Sequence, residues 1–450
     1  LQTIFIEISM AFEYLKRAIQ DGIRFSVGSS SDYCKSVDLE DFSCFEKTNL
    51  PQRGSIRGFE FKDYYPQVFS VIRHLYGISD ISYLLSLAGE SSLNFFGSEG
   101  KSGAFFFISQ DKRFIGKTLK LSETTLLKSI ILSYYNHLRR YPNTLISRYY
   151  GMHRIQKKGE ATKRHFFIMS NVLYTENTIF EKYDLKGSSQ GRRLKKKHIK
   201  DGSTFKDLDF IDRRSKIYLP EAKRKMFMDQ LKIDTEFLSK LKLLDYSVFL
   251  GIHVRREAAK SLSTITRPLS PFISLSESVR RFRGQRAFRQ ACSELIERKK
   301  ESDEHFEAER EGRSPIVLGI SPSSSSSSSS FASPGEAQSG SGRSAKSPLL
   351  RYEPRGELDS LAGSADTFKG SIFERDFGGM ESGPIPGRPD QREIYYLGVI
   401  DLLTGWCSRK KLETVFKRIV YDKEGISATD PNSYAQRMIK FIDDIIEVSD

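Results

Sequence analysis

A break in texture constrains this chain more than any other feature. From about Arg256 to Pro389 it turns polar and rich in Ser, Gly and Pro, with an unbroken serine run from Ser323 to Ser330. Such a stretch cannot bury enough apolar surface to offset the entropy of ordering it, and it reads as a disordered insertion. Globular texture resumes with the apolar strand IYYLGVID from Ile394, then a basic segment, then a helix near Tyr434 to Ile446. The insertion therefore splits one folded unit and does not separate two. The expected boundaries are an N-terminal helical and loop segment over 1–55, the first folded part over 56–255, the insertion over 256–390 and the remainder over 391–450. Inside the insertion, Ser278 to Ile296 sets Val279, Phe282, Leu295 and Ile296 among Arg280, Arg281, Arg283, Arg286 and Arg289. That is the pattern of a basic amphipathic helix at a membrane, and an arginine-rich linker explains it as well.

The folded parts show clear periodicities. Ile8, Ala11, Phe12, Leu15 and Ile19 recur at helical spacing, followed by a Ser/Asp-rich loop from Ser29 to Asp41. Tyr65, Val68, Val71, Ile72 and Leu75 predict a helix closed by Gly77 to Asp80. A long helix runs from Ser122 to about Arg140, and Pro142 and Asn143 end it before a strand over Leu145 to Arg154. With a further strand from His165 to Ser170, the first lobe reads as an antiparallel sheet with one packed helix. The second contains Tyr183 to Ser188, the basic run Arg192 to Lys200, a helix from about Pro220 to Leu241 and a strand over Asp245 to Val254.

Charge limits the partners. A net charge of +14 predicts an anionic one, and nucleic acid, a membrane surface and a phosphorylated substrate all satisfy it. The cysteines Cys34, Cys44, Cys292 and Cys407 lie far apart without C-x-x-C pairing, which suits a reducing compartment and argues against a zinc site. No apolar run reaches the roughly 20 residues of a membrane span, and no signal peptide opens the sequence, so a cytosolic protein is expected.

Chemistry concentrates in three places. In GKSGAFFFISQDKRFIGKTLK, a Gly/Ser turn precedes a hairpin of Ala104 to Ser109 and Arg113 to Leu119. Gly100, Ser102 and Gly103 can bring backbone N–H groups close to phosphate oxygens, and Lys117 can supply a cation to the same phosphates; an ordinary hairpin with an exposed lysine is the plainer alternative. A Walker A loop fails, because Phe95 stands where its first glycine belongs and a strand follows where a helix should. Asp245 in KLLDYSVFLGIH and Asp401 in YYLGVIDLLTGW stand at the mouths of apolar strands, where a carboxylate costs desolvation unless a cation or hydrogen bonds compensate it. Turn capping would also explain either one alone.

GKSGAFFF with RFIGKTLK, YDLKGSSQGRR, LLDYSVFLGIH and GVIDLLTGW, in this order, resemble the phosphatidylinositol phosphate kinase family. FKDYYPQVFSVIRHLYGI, YYNHLRRYPNTLISRYYGMHRI and PNSYAQRMIKFI extend the likeness to nearly everything outside the N-terminal segment and the insertion. The resemblance implies an α+β bilobal, distantly protein-kinase-like fold, an antiparallel sheet N-lobe and a mixed C-lobe, with ATP between them. By matched motif, Lys117 would contact the ATP phosphates with Glu123 as its helix partner. Asp245 would act at the transfer site and Asp401 would hold Mg²⁺. Asp184, Lys186, Ser188, Arg192 and Arg193 would lie near the lipid headgroup, where a guanidinium fork suits phosphate.

The segment Arg409-Lys410-Lys411-Leu412-Glu413 resembles the activation loop of the type I enzymes, which phosphorylate phosphatidylinositol 4-phosphate at position 5. Kinases acting on the 3-phosphate share Glu413, and type II 4-kinases carry alanine there. Leu412, Val415, Phe416 and Ile419 form an apolar stripe flanked by Lys410, Lys411, Lys417 and Arg418, the pattern of a helix at an anionic leaflet or of one packed on the core. The expected partners are thus phosphatidylinositol 4-phosphate in anionic membranes, at the cytoplasmic face of the plasma membrane, and by family analogy a second copy of the chain through residues 1 to 20, with no nucleic acid. Two departures stand out: Gly116 replaces an apolar β-branched residue before the lysine, which would loosen that strand, and Val254 stands where an acid is frequent. A protein kinase is not expected, because no H-R-D-L-x-x-x-N catalytic loop and no D-F-G are present in the expected context.

Overall fold

Two sheets carry most of the strands in the computed structural model, which describes residues 2–28, 36–52, 58–89, 93–97, 104–256, 379–406 and 430–449. The first is seven-stranded and antiparallel, in the order β1-β2-β6-β7-β5-β4-β3. Its strands are β1 (Phe45–Leu50), β2 (Phe59–Tyr64), β3 (Leu93–Gly97), β4 (Phe105–Ser109), β5 (Phe114–Leu119), β6 (Tyr149–Lys157) and β7 (Lys163–Ser170). Alternation drives it: Phe59 and Phe61 are buried while Glu60 and Lys62 take the other face.

Three helices lie against this sheet where the sequence suggested one: α1 (Gln2–Gly28), α2 (Pro66–Leu75) and α4 (Leu121–Arg140), while α3 (Asp80–Ala88) packs on α1. Leu15, Ala18, Ile19 and Ile23 of α1 are buried in the core, and Gly22 lets the Phe61 ring approach so closely that a Cβ there would sit 2.0 Å from it. Leu15 and Ile19, read as candidates for a contact between copies, are therefore consumed inside the lobe. Residues 1–55 are not a separate segment either, since β1 pairs with β2 along its whole length. Sequence missed this because FEKTNL alternates only weakly, as an edge strand exposed on one side should.

The second sheet is mixed, ordered β12-β13-β11-β8-β9, with only β8 and β9 parallel. It comprises β8 (Glu181–Leu185), β9 (Thr204–Lys206), β11 (Ser247–Arg256), β12 (Met380–Glu381) and β13 (Gln391–Ile400). A small parallel pair, β10 (Ile217–Leu219) with β14 (Ile446–Val448), stands apart from both. The helices of this lobe are α5 (Asp207–Arg213), α6 (Glu221–Lys240) and α7 (Pro431–Ile445), of which α6 and α7 pack together. Asp430 caps α7, accepting from the Ser433 N–H at 3.0 Å, and Tyr434, Met438, Ile442 and Ile445 form its buried stripe.

The described chain resumes at Gly379, earlier than composition suggested. Met380 and Glu381 pair with Tyr395 and Ile394, and Ser382 N–H donates to Glu393 O at 2.7 Å. Met380 and Glu381 thus belong to the sheet and the turn from Ile385 to Arg388 leads from them to β13, although the Gly and Pro content of residues 379–390 had grouped them with the insertion. The candidate helix Ser278 to Ile296 lies outside the described residues.

The loop after α4 knits the two lobes together. Ser147 N–H donates to Val399 O at 2.9 Å and Val399 N–H to Leu145 O at 2.7 Å, joining the loop after α4 to β13. Asp234 of α6, fully buried, accepts from Thr144 Oγ1 and Leu145 N, both at 2.7 Å, and from Gln230 Nε2 at 2.9 Å, with His137 Nε2 at 2.7 Å. A buried carboxylate with four partners fixes the end of α4 against the second lobe. Among the described residues no helix is long and apolar enough to cross a membrane.

Candidate active site

Lys117 lies on β5 opposite Phe106 and Phe167, and its side chain is only 12% exposed. Its Nζ stands 3.6 Å from Glu123 Oε1 and 3.3 Å from Asp401 Oδ1, so one cation joins the sheet, α4 and the second lobe. The local sequence explains Glu123: it is the third residue of α4, and its Oε2 accepts from the Lys120 N–H at 2.8 Å. One carboxylate oxygen thus caps the helix while the other faces the lysine.

The Gly116 departure resolves physically. Phe107 lies directly opposite on β4, and a Cβ at Gly116 would fall 1.9 Å from its ring. That ring is fully buried and packs on Phe95 and Phe166 with centroids at 5.3 and 6.0 Å. The missing side chain is replaced by a neighbour's aromatic face, so the strand aiming Lys117 is packed and not loosened.

Asp245 and Asp401 meet through register. Ser247 pairs with Ile400, and the chains continue side by side beyond the sheet, with Leu244 N–H donating to Thr404 O at 2.9 Å and Trp406 N–H to Lys242 O at 2.8 Å. The two aspartates therefore stand at the same end of β11 and β13. Both have left-handed backbones, φ 62° and 61°, a conformation that costs a non-glycine residue about 1 kcal/mol and clusters at working sites. Asp401 is half exposed, a carboxylate open to solvent. Beneath, Tyr149 is buried; burial foremost, then the charges of Asp401 and Glu123, push its phenol far up, so it stays neutral.

The YDLKGS turn reaches the same place. Lys186 Nζ donates to the carbonyl of Asp245. The backbone N–H groups of Lys186, Gly187 and Ser188 converge on Asp207 Oδ1 at 2.8, 2.7 and 3.3 Å, a nest of the kind that holds anions, here filled by the chain's own carboxylate. Gly187 has φ 63°, and a Cβ would lie 2.9 Å from Arg437 O, so glycine is required twice over. Arg192 turns inward: Nε donates to Asp207 Oδ2 at 2.6 Å, and Nη2 to both the carbonyl and Oδ1 of Asp184, the latter at 3.0 Å. It shapes the turn and presents no free fork to a headgroup. Arg193 pairs with Asp212 at the surface, where solvent keeps such a pair weak. Ser188 is buried.

Gly100, Ser102, Gly103, Lys410, Lys411, Glu413 and the stripe from Leu412 to Ile419 lie outside the described residues. Sequence reasoning overlooked Asp207 and Asp234, whose neighbours come from distant segments; the one available signal was acid at Asp207 and Asp209 closely following the basic run. It also overlooked a row of cations. Lys47, Lys62, Arg154 and His165 stand directly opposite one another across β1, β2, β6 and β7, on the face that carries Lys117. Burial first, then Lys128, Lys47 and Lys163, push Lys62 down to about 8; burial, then Lys128, Arg154, Lys163 and Lys62, push His165 down to about 4.

A family model described as phosphatidylinositol-4-phosphate 5-kinase matches residues 87–445. A probable phosphatidylinositol phosphate kinase of Dictyostelium discoideum is 34% identical over 95% of this chain and 57% of its own length. Phosphatidylinositol 4-phosphate 5-kinase 1 of Arabidopsis thaliana is 31% identical over 94% of this chain and 51% of its own, and that of Oryza sativa subsp. japonica 30% over 97% and 54%. The chain spans about half the length of the curated relatives it matches.

Proposed function

The chain belongs to the phosphatidylinositol-4-phosphate 5-kinase family, and from that premise we propose that it transfers the γ-phosphate of ATP to the 5-hydroxyl of phosphatidylinositol 4-phosphate, giving phosphatidylinositol 4,5-bisphosphate. The observation that carries the reading is Lys117 held between Glu123 and Asp401, with Asp245 delivered to the same strand end. Glu413, by resemblance, directs the choice of the 5-hydroxyl.

Each residue has a definite task. Glu123 orients Lys117, whose ammonium leaves Asp401 for the nucleotide phosphates when ATP enters. Asp245 aims the lipid hydroxyl at the γ-phosphorus and takes its proton as the new O–P bond forms and the β–γ bridging P–O bond breaks, ADP departing with the electron pair. Lys186, anchored on the Asp245 carbonyl, sets that aspartate's backbone and brings positive charge beside the headgroup. Asp401 fits Mg²⁺: it is half exposed, no cluster of three acidic, His or Cys ligands occurs among the described residues, and Mg²⁺ takes one or two protein carboxylates and fills its shell with water and phosphate oxygens. Bound there, the ion would neutralise charge developing on the β- and γ-phosphates. The basic row on the Lys117 face supports peripheral docking on an anionic membrane, at the cytoplasmic face of the plasma membrane. A homodimer would use surface other than Leu15 and Ile19.

The test is radiolabelled phosphate transfer from Mg·ATP to vesicles holding each phosphatidylinositol monophosphate in turn. Product from the 4-phosphate, reduced at least about a hundredfold in Asp401→Asn, is expected. Preference for the 3- or 5-phosphate lipid would reassign the specificity, and binding without turnover on all three would make the protein a scaffold.

A further inference from the structure

A cavity of about 410 Å³ lies at the joint between the lobes, and none of Lys117, Glu123, Asp245 or Asp401 lines it. Its walls come from the loop after α4, the start of β5, the hinge after β7 and the middle of β13. The volume falls within the range of small-molecule sites. Its charge is one-sided: Arg113 and Arg148 are the charged residues of the lining, which holds no carboxylate.

Neither guanidinium is neutralised. Arg148 donates from Nη2 to Thr144 O at 3.2 Å and lies over the Tyr76 ring at 4.4 Å, while its Nε is buried without a hydrogen-bond partner. Arg113 donates to Ser82 Oγ and lies over the rings of Phe114 and Tyr174 at 5.3 and 6.0 Å. Among the described residues no carboxylate stands within ion-pair distance of either side chain. Tyr150 is buried between them, and both guanidinium groups oppose the push of burial, which takes its phenol up to about 12. Ser147 is also among the lining residues, and its hydroxyl is buried and unpartnered. Three other arginines are, by contrast, held by carboxylates: Arg73 by Asp80, Arg192 by Asp184 and Asp207, and Arg214 by Glu181 and Glu393. An uncompensated buried cation is costly, and a guanidinium cannot escape by losing its proton.

We propose that this cavity binds a small organic phosphate monoester, its phosphate on Arg148 and Arg113 and its carbon frame against Phe114, Tyr150 and Leu397. Two guanidinium groups and no carboxylate suit a dianionic phosphate. Ser147 and Gly398 flank the hydrogen bonds that join the α4 loop to Val399, so an occupant braces the strand that presents Asp401.

Titration calorimetry and thermal melting of the whole chain test this, with glycerol 3-phosphate as the soluble probe and phosphatidylcholine vesicles carrying ceramide 1-phosphate as the membrane-borne one. Glycerol 3-phosphate should raise the midpoint in the wild type and equally in Lys117→Met, which removes the cleft cation. Arg148→Gln should weaken binding roughly tenfold or more, and so should Arg113→Gln, which keeps the test alive if the first variant does not fold. A response to the vesicles alone, lost in the same variants, would keep the phosphate site and assign its source to a lipid. Binding abolished by Lys117→Met but untouched in both arginine variants, or no response to either probe, would overturn the proposal.

Discussion

Arg192 and Arg214 in the second lobe and Lys47, Lys62, Arg154 and His165 in the first are all basic residues on sheet-bearing surfaces, yet the two lobes treat them oppositely. Arg214 sits between Glu181 and Glu393, donating from Nε at 2.7 Å to the first and from Nη1 at 3.0 Å to both oxygens of the second. Burial is the largest single influence and would raise the Glu181 carboxyl, but the hydrogen bonds from Arg214 and Tyr183 and the charges of Arg214 and Arg213 together outweigh it and hold that group below its usual value. In the first lobe the basic side chains face one another in register, and Glu60 reaches only Arg154. Cations closed off by the chain's own carboxylates build structure; cations left facing each other cost stability and are useful only to an anionic partner.

The largest expected effect tests the neutralised side. Arg214→Met should cost about 3–5 kcal/mol, because it strands Glu393, whose side chain is 1% exposed, and a urea melt showing no loss would break the comparison. Next is Asp207→Asn. It empties the nest of its charge and should cost about 2 kcal/mol while freeing Arg192; if lipid affinity then rises as stability falls, the inward turn of that arginine is confirmed as structural.

Smaller effects test the uncompensated side. The folded His165 titrates near 4 against about 6.5 unfolded, so above pH 6.5 it is neutral in both states and costs nothing. As pH falls from 6.5 towards 4 the unfolded chain takes up a proton that the native one refuses, and stability declines, by about 1 kcal/mol once solvent screening of a half-buried ring is allowed for. In His165→Gln that component should vanish from denaturation midpoints measured across the window. Least is Lys62→Gln. Its amine titrates near 8 folded and 10.5 unfolded, so the penalty is full below pH 8 and gone above 10.5. The variant should gain about 0.5 kcal/mol at pH 7, and nothing at pH 11, with weaker vesicle binding as the functional counterpart.

Much of this molecule is legible in its sequence. The long helix from Ser122 to Arg140 emerged as Leu121–Arg140, and IYYLGVID as the heart of β13, because long periodic segments carry their own signal. Lys117, Glu123, Asp245 and Asp401 were named from motif and setting, and the fold brings the first two and Asp401 into one cluster. Less was legible where pairing matters. The strand expected from Leu145 begins only at Tyr149, since residues 145–147 leave the first sheet to bond with Val399 of the second. Arg192 looked like a phosphate ligand because its partner Asp207 is fifteen positions away and belongs to the next helix.

The sequence by itself determined the kinds of element, the family likeness, and the excess of basic charge, because periodicity, motif order and composition are local or additive properties. Only the tertiary structure decided which charges cancel. Register sets Lys62 against Lys47 and Arg154, Gly116 beneath Phe107, and Asp245 beside the strand end that carries Asp401; closure of the lobes leaves Arg148 facing a cavity while Arg192 is sealed by carboxylates. Electrostatic and packing energies depend on distance in space, and sequence separation does not supply that distance.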